Sequence, residues 1–242
     1  MTDGDVLTSV TKALFEAATT ATLCTQLFKR GLRNQFIQGV GLVTPKAGVM
    51  IGEAFTLRNI PAREDLDGPG MFDGNSHPQR RAIEECPAGA VLAIDCRRDT
   101  RSGALGDILI TRLHDRGVAG VVTDGGMRDL TPMEDFTIPV YAACASPPAS
   151  FHVHHAVDLQ VPIACGDVAI FPGDILVGDG EGVVVVPRHL AVEVASGSAE
   201  QERLESWVLD EVKKDQSIFG LYPPNDDNRK RYEADRSKRS EG

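Results

Sequence analysis

The sequence predicts a mixed α/β domain built as stacked sheets or a small barrel. Three observations carry that expectation. Residues 103–129, GALGDILITRLHDRGVAGVVTDGGMRD, combine a glycine-rich turn, an amphipathic helix, a buried-type strand and a second turn. Downstream, short β-branched runs near 138–143, 157–164, 168–171, 174–177 and 182–186 alternate with Gly, Pro and Asp. A length of 242 residues, 42% hydrophobic and 25% charged, suits one sizeable domain or at most two small ones.

Taken in order, residues 6–31 read as one amphipathic helix closed by Gly31, with Leu7, Val10, Leu14, Ala17 and Ala18 as its apolar stripe. VMIGEAFTLR at 49–58 reads as a strand. Residues 61–77 are rich in Pro, Gly and Asp and form a long loop, of the kind that is either functional or disordered. A short helix at Gln79–Cys86 leads into a strand at 90–95. The central helix begins near Gly106, with Leu109 and Leu113 on one face. The next strand rests on Val118, Val121 and Val122 between Gly117, Gly120 and Gly125. A helix from Arg188 to Lys214 closes the domain, leaving 1–220 as the folded unit and 221–242 as a solvated polar tail.

Charge and composition exclude several function classes. The net charge is −10, and the basic residues cluster only at Arg229–Arg231, Arg236, Lys238 and Arg239, so nucleic acid is not an expected partner. Five cysteines (24, 86, 96, 144 and 165) contain no C-x-x-C pair, which suggests reduced thiols in a cytoplasmic protein. The sequence shows no secretory leader pattern and no apolar run of membrane-spanning length, so no membrane partner is expected.

The chemistry concentrates at the ends of the central unit. Free N–H groups at a helix start hold anions, which makes the amides of Gly106, Asp107, Ile108 and Leu109 a candidate carboxylate cradle. Arg128 offers a bidentate guanidinium to substrate oxygens, and Asp129 offers a carboxylate to Mg²⁺ or Mn²⁺. Asp107 would then orient a water of the metal's hydration shell. The plain alternative, a surface turn with an ion pair, would contribute only about 0–1 kcal/mol. Asp124 before Gly125-Gly126 is the weaker candidate, because Asp there also forms turns.

Other patterns are set aside on chemical grounds. G-x-x-G is not the dinucleotide fingerprint, and there is no phosphate-binding G-x-x-x-x-G-K-[ST] loop. His152, His154 and His155 would place His152 and His154 on one face of a strand, but an oxygen-lined site suits Mg²⁺ better, so solvent-facing or interface histidines are expected. Ser146-Pro147-Pro148 is a loop without a nucleophile elbow. The lysines lie at 12, 29, 46, 213, 214, 230 and 238, leaving none between 47 and 212. A Schiff-base aldolase needs a desolvated lysine. Carbonyl activation on this scaffold is therefore expected from a metal and Arg128.

The pattern G-x-x-G-D followed by R-G-V-x-G-x-V-x-D-G-x-x-R-D, with 21 residues from Asp107 to Arg128, resembles the family of the regulator of ribonuclease activity A. The aldolase branch, which cleaves 4-hydroxy-4-methyl-2-oxoglutarate or 4-carboxy-4-hydroxy-2-oxoadipate, fits best. GDVAIFPGDILVGDGEGVVVVP at 166–187 resembles the family's paired strands, and the likeness spans roughly 85–215. The resemblance implies an α/β/β sandwich of the swivelling type that assembles as a trimer or hexamer. It also implies that the loop at 106–109 binds a pyruvyl carboxylate.

The activity so implied is a class II lyase that breaks C3–C4 of a 4-hydroxy-2-oxo acid, with oxaloacetate decarboxylation as a side activity. Glu205 on the last helix is a candidate carboxylate reaching a neighbouring subunit's site, with Glu200 and Glu202 close by. The alternative is a non-enzymatic protein-binding regulator like the ribonuclease-inhibiting members. A methyltransferase role, an older label in the family, finds no glycine-rich cofactor loop here. The 61–77 loop and the 221–242 tail depart from the family pattern and leave the substrate's distal half open.

Overall fold

The computed structural model describes residues 6–68, 70 and 75–240. One mixed sheet dominates it, with strand order β1 (Gly41–Leu42), β6 (Val140–Ala142), β4 (Gly120–Thr123), β3 (Val91–Asp95), β2 (Met50–Pro61), β11 (Ile175–Asp179) and β12 (Gly182–Val186). The long strand β2 is its hinge. On one side it runs parallel to β3 over Ala54–Arg58. On the other, its first residues pair with β11 and its last with β8 (His154–Leu159), both antiparallel. A register shift between Arg58 and Asn59 bends the strand.

The sheet curls into a nearly closed, barrel-like form. Tyr141 on β6 reaches across the interior and donates to the Asp179 carbonyl on β11 at 2.9 Å, although three strands separate β6 from β11 in the sheet order. Side chains alternate as a pleat requires. Val91 and Ala93 face this interior with Met50, Val122 and Tyr141. Leu92 and Ile94 face the other way, against α3 (Pro78–Glu85) and α4 (Asp107–Asp115) through Ala82, Ile83, Ile110 and Leu113. On the β11–β12 flank, Val177, Val184 and Val186 pack on Phe15, Leu23, Leu27, Val194 and Ala195. The mixed α/β single-domain expectation holds.

Several elements differ from expectation in detail. The helix expected over 6–31 is two helices, α1 (Ser9–Glu16) and α2 (Thr20–Lys29). Thr19 breaks it, because its hydroxyl caps α2 by accepting from the Thr22 amide and also donates to Glu202. Val10 consequently points to solvent while Phe15, Leu23 and Leu27 supply the core. The strand expected at 157–164 divides into β8 and β9 (Ile163–Cys165), and β9 pairs with β10 (Val168–Ile170) as a separate ribbon. Part of the 61–77 loop, residues 69 and 71–74, lies outside the described residues. Its described part is anchored where the Asp67 carboxylate accepts from the Arg63 amide at 2.8 Å and contacts His155 Nδ1 at 2.7 Å.

The polar C-terminal segment is helical over α7 (Asp226–Ser240), with most of its described side chains exposed. Tyr232 packs edge-on against Trp207 of α6 (Ala191–Val212), and the Arg231 guanidinium covers the same ring while pairing with Glu211. Among the described residues no helix is long and apolar enough to cross a membrane.

The histidine expectation also needs correction. His152 ends a 3₁₀ turn and is exposed, so it shares no strand face with His154. His154 is 3% exposed, and among the described residues its Nε2 has no hydrogen-bond partner. Burial, aided by the neighbouring Arg97 guanidinium, lowers its pKa from 6.5 to about 4. The fold therefore holds His154 neutral, and its contribution to stability is complete above pH 6.5 and lost as pH falls towards 4. Denaturant unfolding should show the His154→Leu variant losing about 2 kcal/mol less stability than the parent between pH 7 and pH 5. Identical pH dependence in both proteins would refute that assignment.

Candidate active site at the start of α4

Three backbone segments are zipped together at the N-terminal end of α4. Gly103 forms a parallel bridge with Gly126 of β5 (Gly126–Met127), and the Ala104 amide donates to the Gly126 carbonyl at 2.8 Å. The Arg128 amide donates to Leu105 O at 3.1 Å. From the third segment, Pro148 O accepts from Gly103 N and the Ser146 amide donates to Met127 O, each at 2.8 Å. The Ser146-Pro147-Pro148 loop thus backs the glycine turn instead of offering a nucleophile.

Two glycines are required by this close approach. A Cβ on Gly103 would lie 2.8 Å from Ser146 O and 2.9 Å from Arg128 Cβ. A Cβ on Gly106 would lie 2.4 Å from Asp129 Oδ2 and 3.1 Å from Arg128 Cγ. The Arg128-Asp129 turn is therefore seated directly on the helix start. Asp129 adopts φ 58°, a left-handed conformation that Asp tolerates better than most residues, and it precedes α5 (Leu130–Met133) without a capping bond from its side chain. Arg128 Nε donates to Asp129 Oδ2 at 3.1 Å, and both side chains keep over a third of their surface open.

The cavity here is about 280 Å³. Gly106, Asp107, Ile108, Leu109, Arg128 and Asp129 all line it, so every residue expected at the primary site comes together. Within the expected amide cradle the four N–H groups are not equivalent. Ile108 N donates to Asp107 Oδ1 at 2.7 Å and Leu109 N to Gly106 O at 3.1 Å. Among the described residues the Gly106 and Asp107 amides have no acceptor within the chain, which makes them the open pair. Ile108 is 78% exposed and forms an apolar wall at the cavity.

The sequence reading missed Gln79, Arg80, Ala149 and Ser150, which complete the lining. Gln79 Nε2 donates to Ala104 O at 2.8 Å and lies 3.2 Å from Ser150 Oγ, tying α3 to the glycine turn. No spacing rule could have joined these residues to Arg128, because only the fold brings them together. Asp124 proves to be a structural residue. Its carboxylate accepts from the amides of Cys96 at 2.7 Å, Arg98 at 3.1 Å and Gly166 at 3.2 Å, and burial raises its pKa.

Among the described residues no three His, Cys, Asp or Glu side chains gather as a metal cluster. Among the described residues the carboxylates at the cavity are Asp107 and Asp129, a donor set that suits a largely hydrated Mg²⁺ or Mn²⁺ and not zinc. Among the described residues no lysine lines the cavity; Lys46 pairs with Asp135 elsewhere. Glu205 lies apart, accepting from Gln201 Nε2 at 2.9 Å and lining a separate groove with Leu209, Val212 and Ile218.

Residues 20–185 match the family model described as RraA-like: Aldolase/RraA. The chain belongs to the RraA-like family. A Thermus thermophilus protein named 4-hydroxy-4-methyl-2-oxoglutarate aldolase is 32% identical over 109 residues, covering 45% of this chain and 66% of the relative. A Halalkalibacterium halodurans protein provisionally named for the same aldolase is 28% identical over 165 residues, covering 65% of this chain and 78% of the relative. The structure of Streptomyces coelicolor RraAS2, titled an unusual member of the RNase ES inhibitor RraA protein family, superposes with a TM-score of 0.72 at 27% identity. That match covers 84% of this chain and 98% of the other.

The two glycines predict different failures in the RraA-like site. Gly106→Ala meets side-chain atoms, Asp129 Oδ2 and Arg128 Cγ, so it should displace them while changing stability by no more than about 1 kcal/mol. Gly103→Ala meets backbone at Ser146 and should destabilise the fold by about 1–3 kcal/mol. Denaturant unfolding of both variants checks the contrast, and equal destabilisation would count against the seating of Asp129 on the helix start.

Proposed function

We propose that this protein is a carbon–carbon lyase that cleaves a 4-hydroxy-2-oxo acid to pyruvate and a carbonyl product. The observation that carries the reading is the meeting of two open amides, Arg128, Asp107 and Asp129 in one small cavity. The Gly106 and Asp107 amides at the positive end of α4 receive the substrate's C1 carboxylate. Arg128 spans the carboxylate and the 2-oxo oxygen with its planar fork. Asp107 holds the water that takes the C4 hydroxyl proton. C4 becomes a carbonyl as the C3–C4 bond breaks, and the bonding pair passes to the pyruvyl half as an enolate. Arg128 stabilises the charge that develops on its oxygen. Protonation at C3 then yields pyruvate.

A hydrated divalent cation, Mg²⁺ or Mn²⁺, held on Asp129 would supply Lewis acidity at the 2-oxo group. Oxaloacetate decarboxylation passes through the same enolate and belongs to the same reading. The Asp107, Arg128 and Asp129 set at an open cavity favours this lyase over a protein-binding role of the kind named for the Streptomyces relative. The reading includes a trimeric or hexameric assembly in which Glu205 approaches a neighbouring copy's cavity.

Coupled detection of pyruvate across 4-hydroxy-2-oxo acids tests the proposal. Chelator-treated protein should be inactive and regain turnover with Mg²⁺ or Mn²⁺. Activity that survives chelation, or an imine trapped by borohydride, would overturn the metal-dependent reading. Arg128→Lys keeps the charge but loses the fork, and turnover should fall by roughly 10²–10³. Asp129→Asn should instead raise the metal concentration needed for half-maximal rate. Sedimentation addresses the assembly, since full activity in a purely monomeric species would exclude Glu205 acting between subunits.

A further inference from the structure

Ser150 lines the cavity at the start of α4, and the lyase reading gives it no role. It opens the 3₁₀ turn Ser150–His152, and its carbonyl accepts from the Ser102 hydroxyl at 3.4 Å and the Val153 amide at 3.2 Å. Its Oγ meets Gln79 Nε2 at 3.2 Å. The same nitrogen donates to Ala104 O at 2.8 Å, and Gln79 is buried. A carbonyl only accepts, so the Gln79 amide must present its NH₂ group there and cannot be turned over. That orientation sets the roles at the other end. Ser150 Oγ accepts from Gln79, and its own proton is left to donate. Among the described residues that proton has no acceptor within the chain.

The chemistry of the ligand's oxygens decides which of them suits such a donor. The open amides and Arg128 serve the C1 carboxylate and the 2-oxo group at the α4 end. The cavity, about 280 Å³, is small enough that a short 2-oxo acid held there also meets the Ser150 wall. The oxygen on C4 remains. Once its proton has passed to the water held by Asp107, it carries negative charge until the C3–C4 bond breaks. A donor at that oxygen stabilises the charge and makes the proton easier to remove. We propose that Ser150 donates a hydrogen bond to the C4 oxygen, and that Gln79 is the positioning residue that keeps the Ser150 proton free for it. Ser150 keeps its proton throughout; a lone pair on the C4 oxygen forms the carbonyl as the C3–C4 pair passes to the enolate. The part played in cleavage rests on the lyase reading; the hydrogen bond to a C4 oxygen does not.

Two ligands without a C4 hydroxyl isolate the hydrogen bond from turnover: 2,4-dioxopentanoate has a C4 carbonyl oxygen, and 2-oxopentanoate has none. Titration calorimetry of the Mg²⁺-supplemented protein should show Ser150→Ala binding the dioxo acid about 2–10-fold more weakly, as for one neutral hydrogen bond, with 2-oxopentanoate unchanged. Ser150→Thr keeps the hydroxyl and should retain the parent's preference. Gln79→Glu puts an acceptor where the amide donated, so the Ser150 proton turns to it and the same selective loss should follow. Steady-state kinetics adds a second readout. For a 4-hydroxy-2-oxo acid, Ser150→Ala should lose roughly 10–100-fold in kcat, as for a donor to a charged oxygen. For oxaloacetate, whose C4 carboxylate gives up charge as CO₂ departs, the loss should sit in KM with no fall in kcat.

Equal losses for both ligands in Ser150→Ala, or no loss for the dioxo acid, would overturn the assignment. A selective loss in Ser150→Ala with none in Gln79→Glu would overturn the positioning role of Gln79. A Ser150-dependent preference for the dioxo acid, in a protein that releases pyruvate from no 4-hydroxy-2-oxo acid, would sustain the hydrogen bond and defeat the lyase reading. Pyruvate release with a ligand preference indifferent to Ser150 would do the reverse.

Discussion

The seating of the 128–129 turn on the start of α4 depends on backbone contact with no side chain between the two segments. Gly103 and Gly106 leave room for Arg128 and Asp129 where any Cβ would collide. The parallel bridge from Gly103 to Gly126 and the amide-to-carbonyl bonds at Ala104 and Arg128 lock the approach. A helix start, a guanidinium and a carboxylate are thereby held together by the main chain rather than by long side chains, which would each add their own ordering cost. Such a scaffold places charged groups beside open amides without relying on salt bridges of small net value.

The curved sheet makes that contact possible. Strands β3 and β4 run parallel, so the loops after them, carrying Gly103 and Gly126, emerge at the same edge. Asp124 fastens the edge further by accepting from three amides of two separate segments, Cys96 and Arg98 after β3 and Gly166 after β9. Its burial and its neighbours make it a construction residue, while Asp129, five positions later, remains open to the cavity. Two carboxylates so close in sequence thus serve different purposes because one is enclosed by donors and the other faces space.

The central helix–strand unit was legible because its periodicity is strong and its glycines punctuate both ends. The primary site was legible for the same reason, since its two halves lie within 103–129 and a single turn of chain closes them together. Other features depend on contacts that no local pattern encodes. Thr19 divides the first helix partly through Glu202, 183 residues away in sequence. His154 is enclosed by β8 pairing with the end of β2, so its burial follows from tertiary structure and not from the H-x-H-H spacing. The polar composition of 226–240 conceals a helix whose Tyr232 and Arg231 cover Trp207. Gln79 and Arg80 reach the cavity only through long-range packing of α3 on the glycine turn.

The central claim is that the α4 start and the Arg128-Asp129 turn form one ligand-binding unit for a planar 2-oxo acid. A crystal structure with Mg²⁺ and oxalate, a planar mimic of the pyruvate enolate, tests it most directly. The account predicts oxalate in the cavity with one carboxylate about 3 Å from the Gly106 and Asp107 amides and an oxygen facing Arg128. Oxalate bound elsewhere, with those amides and Arg128 unengaged, would contradict it.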